Sequence, residues 1–186
     1  MIEIRTLQDL SAEDVRRLSQ GYVSSARYAV RKEETPERTT ITLERQALDE
    51  PYAKRWYSDQ AEVARYQRIV RDDNLSLGVF DGEHLVGIAI AERIDWNRTL
   101  WVWEVHVDET HRRRGIGRRL IDALAERARS AGLRVMVCET QSSNVPAIDF
   151  YRRVGFELDA IDLSYYTNRD VEEGEVALFM KRKLAP

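Results

Sequence analysis

Between Val105 and Leu120 the chain reads Val105-His-Val-Asp-Glu-Thr-His-Arg112-Arg-Arg-Gly115-Ile-Gly117-Arg-Arg-Leu120, a strand end, a basic loop and a helix that starts on glycines. Backbone N–H groups at a helix start have no intrahelical partner, and the helix dipole adds partial positive charge there. Glycines let an anion approach without Cβ obstruction, and Arg112, Arg113 and Arg114 add full charges. The chemistry implied is capture of a phosphate or pyrophosphate. The spacing is not that of a P-loop, which needs Gly-x4-Gly-Lys-Ser/Thr, and Leu120 stands where a dinucleotide fingerprint needs its third glycine. The pyrophosphate of another carrier fits. A glycine turn with solvated arginines is the plain alternative.

The elements around this loop follow from periodicity. Ile2 to Arg5 alternates like a strand, and Ser11-Ala-Glu-Asp14 has the form of a helix start ahead of Val15 and Leu18. Between Tyr22 and Tyr57 the pattern predicts a strand over Thr39 to Leu43, a polar turn over Glu33 to Arg38 and a break at Pro51. Asp59 caps a predicted helix with Val63, Tyr66, Ile69 and Val70 on one face, ending at Asp72-Asp73-Asn74. Leu75 to Phe80 and Leu85 to Ala91 flank the hairpin dipeptide Asp81-Gly82. A strand from Leu100 to Val107 follows the turn at Asp95 to Arg98. Ile116, Leu120, Ile121, Leu124, Ala125 and Ala128 form a helical stripe closed by Gly132, and Leu133 to Cys138 reads as a buried strand. Pro146 opens a short helix with Ala147, Phe150, Tyr151 and Val154 on one side and Gly155 at its end. Strands near Glu157 to Leu163 and Val176 to Lys181 complete the pattern. Antiparallel strands running into a strand-helix-strand-helix unit predict an α+β, or mixed α/β, fold with a partly parallel central sheet flanked by helices, as one domain over 1–186.

Arg112-x-x-Gly115-x-Gly117, the helix and strand that follow it, and Asn144-x-x-Ala147-x-x-Phe150-Tyr151-x-x-x-Gly155-Phe156 together resemble the Gcn5-related N-acetyltransferase (GNAT) superfamily. The resemblance covers about Leu75 to Leu184 and implies the single-domain GNAT acyltransferase fold. A narrower likeness is carried by Trp96-Asn97-Arg98, Glu139-Thr140-Gln141, Tyr165-Tyr166 and Glu175-Val176-Ala177, which look like the streptothricin acetyltransferases; it reaches back to Glu50-Pro51-Tyr52. That subfamily acetylates the β-lysine amine of an antibiotic. The implied activity is acetyl-CoA-dependent transfer to a primary amine by direct attack, with antibiotic resistance as its consequence. Transfer to a peptide or protein amine, or acyl-CoA binding without turnover, are the rivals.

The resemblance implies that Arg112, Arg113, Arg114, Gly115, Ile116, Gly117 and Arg118 hold the pyrophosphate. It also implies that backbone N–H groups over Val105, His106 and Val107 hold the thioester carbonyl, and that Asn144, Ala147 and Tyr151 line the pantetheine arm and sulfur. Asn144 can equally cap the helix at Pro146. Tyr151 is the candidate acid: a phenol near pKa 10 protonates a thiolate, near 8.5, at little cost. Packing beside Phe150 is its structural alternative. A primary amine arrives protonated, so a base is needed. Strict alternation puts Val102, Glu104 and His106 on one strand face and Trp101, Trp103, Val105 and Val107 on the other, leaving Glu104 as a carboxylate in an apolar strand and the first candidate base. Streptothricin-type relatives tend to carry two adjacent acids here, where this chain has Trp103 before Glu104. Glu139 could attract a cationic amine or share the proton; an ion pair with an arginine is its alternative. Trp96, Trp101, Trp103, Tyr165 and Tyr166 are candidates to line an acceptor pocket, or core.

Composition bounds the rest. The 186 residues are 43% hydrophobic and 33% charged with net charge −3, enough for a real core. The acidic balance argues against a dedicated nucleic-acid binder despite 25 arginines to 4 lysines. No apolar run approaches the roughly 20 residues that span a bilayer, so no membrane partner and a cytoplasmic location are expected. The single Cys138 allows no internal disulfide and reads as core rather than nucleophile. His84, His106, His111 and Cys138 lack ligand spacing, so no metal is expected. The expected partner is a small-molecule amine acceptor, with a homodimer left open.

Overall fold

The computed structural model describes residues 1–184. Its elements run β1 (Ile2–Thr6), α1 (Ala12–Leu18), β2 (Tyr22–Thr35), β3 (Arg38–Lys54), α2 (Gln60–Asp73), β4 (Leu77–Asp81) and β5 (His84–Ile94). After a 3-10 turn at Asp95–Asn97 come β6 (Thr99–Val107), a second at Glu109–His111, α3 (Ile116–Ser130) and β7 (Val135–Gln141). Then follow α4 (Val145–Arg153), β8 (Glu157–Asp162), α5 (Asp170–Glu173) and β9 (Ala177–Lys183). The described residues form two compact units, one of residues 1–20, 56–138 and 182–184, the other of 21–55 and 139–181.

The first unit is a mixed sheet in the order β1-β4-β5-β6-β7, antiparallel except that β7 runs parallel to β6. The parallel pairing matches Thr99 with Val135 through Val102 with Cys138 and goes no further. Helices α1 and α2 start where their caps require: the Ser11 and Asp59 side chains accept from the backbone N–H of Asp14 and Glu62. Their apolar residues Val15, Leu18, Val63, Tyr66, Ile69 and Val70 pack with Ile88 and Ile90 in one buried cluster, with Trp103 against it. Helix α3 packs on β4, β5 and β6 through its own stripe, all buried from Ile116 to Ala128, and stops at Gly132 in the left-handed conformation. Leu124 is wholly buried in that stripe. Leu124→Ala is expected to cost about 2–5 kcal/mol through lost burial and a residual cavity, read as a lower urea midpoint at unchanged slope.

Strict alternation along β6 fails at one point. Ile90 pairs with Glu104 but Ala91 with Val102, so Trp103 is an extra residue in a β-bulge. Directly paired residues share a face. Val102 therefore sides with Ala91, while Glu104 and His106 side with Ile90 and Ile88 against α1 and α2. Trp101 and Trp103 join Glu104 on that face, their rings 5.2 Å apart.

In the second unit β2 and β3 form a long antiparallel ribbon and β8 pairs antiparallel with β9. The polar turn at 33–38 is present, but β3 does not break at Pro51. The register jumps from Ser24–Tyr52 to Ala26–Ala47, so residues 48–51 bulge away from β2, and there proline's missing N–H leaves no ladder bond unmade. The strand over Tyr22–Thr35 and the one-turn helix α5 are elements that local pattern does not reveal.

Candidate active site

The basic loop of the first unit is built as an anion-binding helix start requires. Asp108 opens it, accepting from the backbone N–H and hydroxyl of Thr110 at 3.0 and 2.6 Å. Those two bonds hold the Asp108 carboxyl below its usual range despite some burial. Arg112 ties the loop down, its Nε donating to the Val107 carbonyl at 2.9 Å and its Nη1 to Glu109. Arg113 and Arg114 are exposed, and Arg113 and Gly115 both take positive φ, 62° and 74°. An alternation of this kind is the backbone pattern of an anion-binding nest. Gly115 is the N-cap of α3 and supplies no side-chain cap, and a Cβ built on it meets nothing within 4 Å. The loop thus divides its arginines, with Arg112 bracing the backbone while Arg113 and Arg114 face solvent.

Upstream, β6 beyond Val102 has no β7 residue paired to it, leaving the edge of Val105, His106 and Val107 away from β5 without a strand partner in this unit. On the α1–α2 face, Tyr66 Oη donates to Glu104 Oε1 at 2.5 Å and also reaches Glu62 Oε1 at 3.0 Å. The other Glu104 oxygen, Oε2, is hydrogen-bonded to His106 Nε2, which lies 3.1 Å from Ser19 Oγ. The Trp56 ring stands edge-on to the His106 ring at 5.9 Å. Burial and then the Glu104 charge push the Tyr66 phenol far above its ordinary value, so its proton stays on oxygen and is donated. Trp103 Nε1 donates to Glu92 at 2.8 Å, and the Arg65 guanidinium lies 4.1 Å from the Trp103 ring centroid. Glu104 is therefore not the isolated carboxylate that the strand pattern suggests.

In the second unit, Asn144 caps α4, its side chain accepting from the Ala147 N–H at 3.2 Å. Tyr151 is buried on α4 with Phe150 and Phe156 rings 5.4 and 5.3 Å away. Glu139 accepts a hydrogen bond from Tyr166 Oη. Lys54 Nζ contacts Glu175 Oε2 at 2.5 Å and stands 5.9 Å from the Tyr166 ring centroid. Ser143 Oγ donates to Glu175 Oε1 at 3.2 Å and lies 2.7 Å from Tyr22 Oη, whose ring is 6.2 Å from that of Tyr52. Partial burial and the nearby carboxylates raise both the Tyr22 and Tyr166 phenols, Tyr22 under Glu175 and Tyr166 chiefly under Glu139. Asp170 holds the turn that carries Tyr166: burial alone would raise its carboxyl, but bonds from the Tyr166 and Thr167 backbone outweigh it and keep the group below its usual range.

Sequence reasoning names Glu104, Glu139 and Tyr151 as candidates but does not single out Tyr66, which bonds Glu104, or Lys54, Tyr22 and Ser143, which gather around Glu175. It also gives His106 a backbone role alone, although i, i+2 spacing on one strand face was signal enough to pair it with Glu104. Trp96 is exposed, while Trp101 and Trp103 pack on the sheet face beneath α2. Cys138 is buried in β7. Among the described residues no three His, Cys, Asp or Glu converge as a metal site, and no helix is long and apolar enough to cross a membrane.

Residues 38–156 match the acetyltransferase (GNAT) family. The chain belongs to that family, as a GNAT-family acetyltransferase. It is 33% identical to a streptothricin acetyltransferase of Escherichia coli over 129 residues, 69% of each chain. It is 38% identical to the streptothricin acetyltransferase of Streptomyces lavendulae over 100 residues, 54% of this chain and 52% of that one. The crystal structure of a nourseothricin acetyltransferase superposes with a TM-score of 0.77 at 27% identity, covering 99% of both chains.

The loop offers a direct test. Gly117 lies in the first turn of α3, where an acidic side chain complements the helix dipole and should spare the fold. The same charge should repel a pyrophosphate, so Gly117→Glu is expected to weaken acetyl-CoA binding by roughly tenfold or more, about 1.4 kcal/mol, in calorimetry. Wild-type affinity in the folded variant would remove the loop from the binding site.

Proposed function

We propose that the chain transfers acetyl from acetyl-CoA to a primary amine of a cationic small molecule of the streptothricin type, by direct attack and without a covalent enzyme intermediate. The observation that carries the acceptor class is the setting of Lys54. Its ammonium lies against Glu175 and near the Tyr166 ring, with Glu139 bonded to that same tyrosine. Two carboxylates among phenol rings, already holding one ammonium, suit a second such group on a substrate. The similarity to streptothricin acetyltransferases supports the same choice.

In this reading Arg113, Arg114 and the N–H groups around Gly115, Ile116, Gly117 and Arg118 bind the pyrophosphate, and Asn144 and Ala147 meet the pantetheine. The backbone of Val105, His106 and Val107 polarises the thioester carbonyl, so that the oxyanion of the tetrahedral intermediate is met by fixed N–H donors. At pH 7 an amine of pKa near 10 is free in only about one molecule in 10³, so the Glu104-centred network takes its proton before attack. As the C–S bond breaks, the Tyr151 hydroxyl donates to the departing CoA sulfur.

Release of free CoA, followed with streptothricin, polyamines, aminoglycosides and peptides as acceptors, tests the proposal. Streptothricin is expected to give the highest kcat/KM. Preference for a peptide would replace the small-molecule reading, and acetyl-CoA binding without turnover of any amine would make the chain an acyl-CoA-binding regulator.

A further inference from the structure

We infer that the atom receiving the amine's proton is Nδ1 of His106, and that Glu104, Tyr66 and Ser19 are positioning residues that hold this ring in the required tautomer. The inference rests on the reading that the chain acetylates an amine, and names the base of that reaction. Its ground is the occupancy of the carboxylate. Each Glu104 oxygen already has a neighbour: Tyr66 Oη donates to Oε1, and His106 Nε2 bonds Oε2. An ionised carboxylate only accepts, so Nε2 must carry the hydrogen. Ser19 Oγ lies 3.1 Å from the same nitrogen. Both contacts to His106 thus fall on Nε2, and Nδ1 has no hydrogen-bond partner among the described residues.

A neutral imidazole protonated at Nε2 presents its lone pair at Nδ1. This is the logic of a carboxylate that orients a histidine without taking the proton itself. The ring is not sealed off, since the side chains of His106 and Glu104 keep 12% and 18% of their exposure. The titratable and charged groups that face the cluster are Glu104 on the same strand and Tyr66, Glu62 and Arg65 on α2. Ser19 follows α1, and the Trp56 ring fixes the imidazole plane edge-on. The proton balance closes. The substrate ammonium gives one proton to Nδ1, the amine forms the C–N bond, and the C–S bond breaks as Tyr151 protonates the sulfur, while the second N–H proton leaves the nitrogen through water and makes good the one Tyr151 has given. His106 then releases its proton to water, so each turnover yields amide, CoA thiol and one proton.

Two measurements on the full chain test this. In imidazole nitrogen NMR of histidine-labelled protein, with His106→Gln identifying the signal, neutral His106 is expected as the Nε2–H tautomer, and Glu104→Gln is expected to loosen that preference. In kinetics, His106→Gln should lower kcat by about 10²- to 10⁴-fold at pH 7 with the acetyl-CoA Kd within about twofold, and lose the acid limb of the kcat profile. Glu104→Gln should lower kcat yet keep that limb, because the imidazole that takes the proton is still present. A folded His106→Gln enzyme within threefold of wild-type kcat, or an Nδ1–H tautomer in an active enzyme, overturns the inference. A limb lost in Glu104→Gln and kept in His106→Gln overturns it in favour of the carboxylate. If wild type acetylates no amine while the Nε2–H tautomer is present, it is the acetyl-transfer reading that falls, and the catalytic role with it.

Discussion

Tyr151→Phe is expected to lower kcat by about 10²- to 10⁴-fold while leaving the affinity for acetyl-CoA within about a factor of two. The ring sits on α4 with Phe150 and Phe156 at 5.4 and 5.3 Å and is 9% exposed, so phenylalanine keeps its shape and most of its contacts. What is lost is one hydroxyl and its proton. A CoA thiolate that leaves without a proton is a poorer leaving group than a thiol, and the deficit appears in the chemical step rather than in binding. The loss should shrink for a thioester whose thiol has a lower pKa, since that sulfur needs less help. Single-turnover rates with two thioesters of different leaving ability measure this. Full-rate turnover by the phenylalanine enzyme would end the role, and a collapsed thermal transition would make the hydroxyl structural.

Glu104→Gln is the second large effect, with kcat expected to fall by about 10²- to 10⁴-fold at neutral pH. Glutamine keeps the size of the side chain, yet its NH2 group only donates, so it cannot replace the carboxylate oxygen that accepts from Tyr66 Oη or His106 Nε2. One of the two is left without an acceptor in a largely buried cluster, and the His106 ring loses the carboxylate oxygen that orients it. As pH rises toward the pKa of the acceptor amine, more of the amine arrives unprotonated and the base matters less. The ratio of wild-type to variant rate should therefore narrow with pH, and kcat measured from pH 6 to 9.5 decides. A ratio constant over that range would mean that Glu104 positions the substrate ammonium and takes no part in moving its proton.

The parts of this protein legible in the sequence are those set by local rules. The arginine-glycine loop, the start of α3 on Gly115 and its end at Gly132 follow from which residues tolerate positive φ and which periodicity makes an apolar stripe. The same holds for the caps at Ser11, Asp59 and Asn144, and for Tyr151 at its place on α4. The motifs that mark the family lie wholly within such segments.

What only the tertiary structure decided depends on pairing partners far apart in the chain. The bulge at Trp103 exists because β6 carries one residue more than β5 across that step, and it turned Val102 away from Glu104. Tyr66 reads from its helix spacing with Val63, Ile69 and Val70 as core, and it is core, but its hydroxyl ends on a carboxylate 38 residues away. Lys54 meets Glu175 across 121 residues, from a strand that Pro51 appeared to end. A side chain's polar tip is directed by whatever the folded chain brings within about 3 Å of it, and local sequence fixes only the element and face from which it sets out.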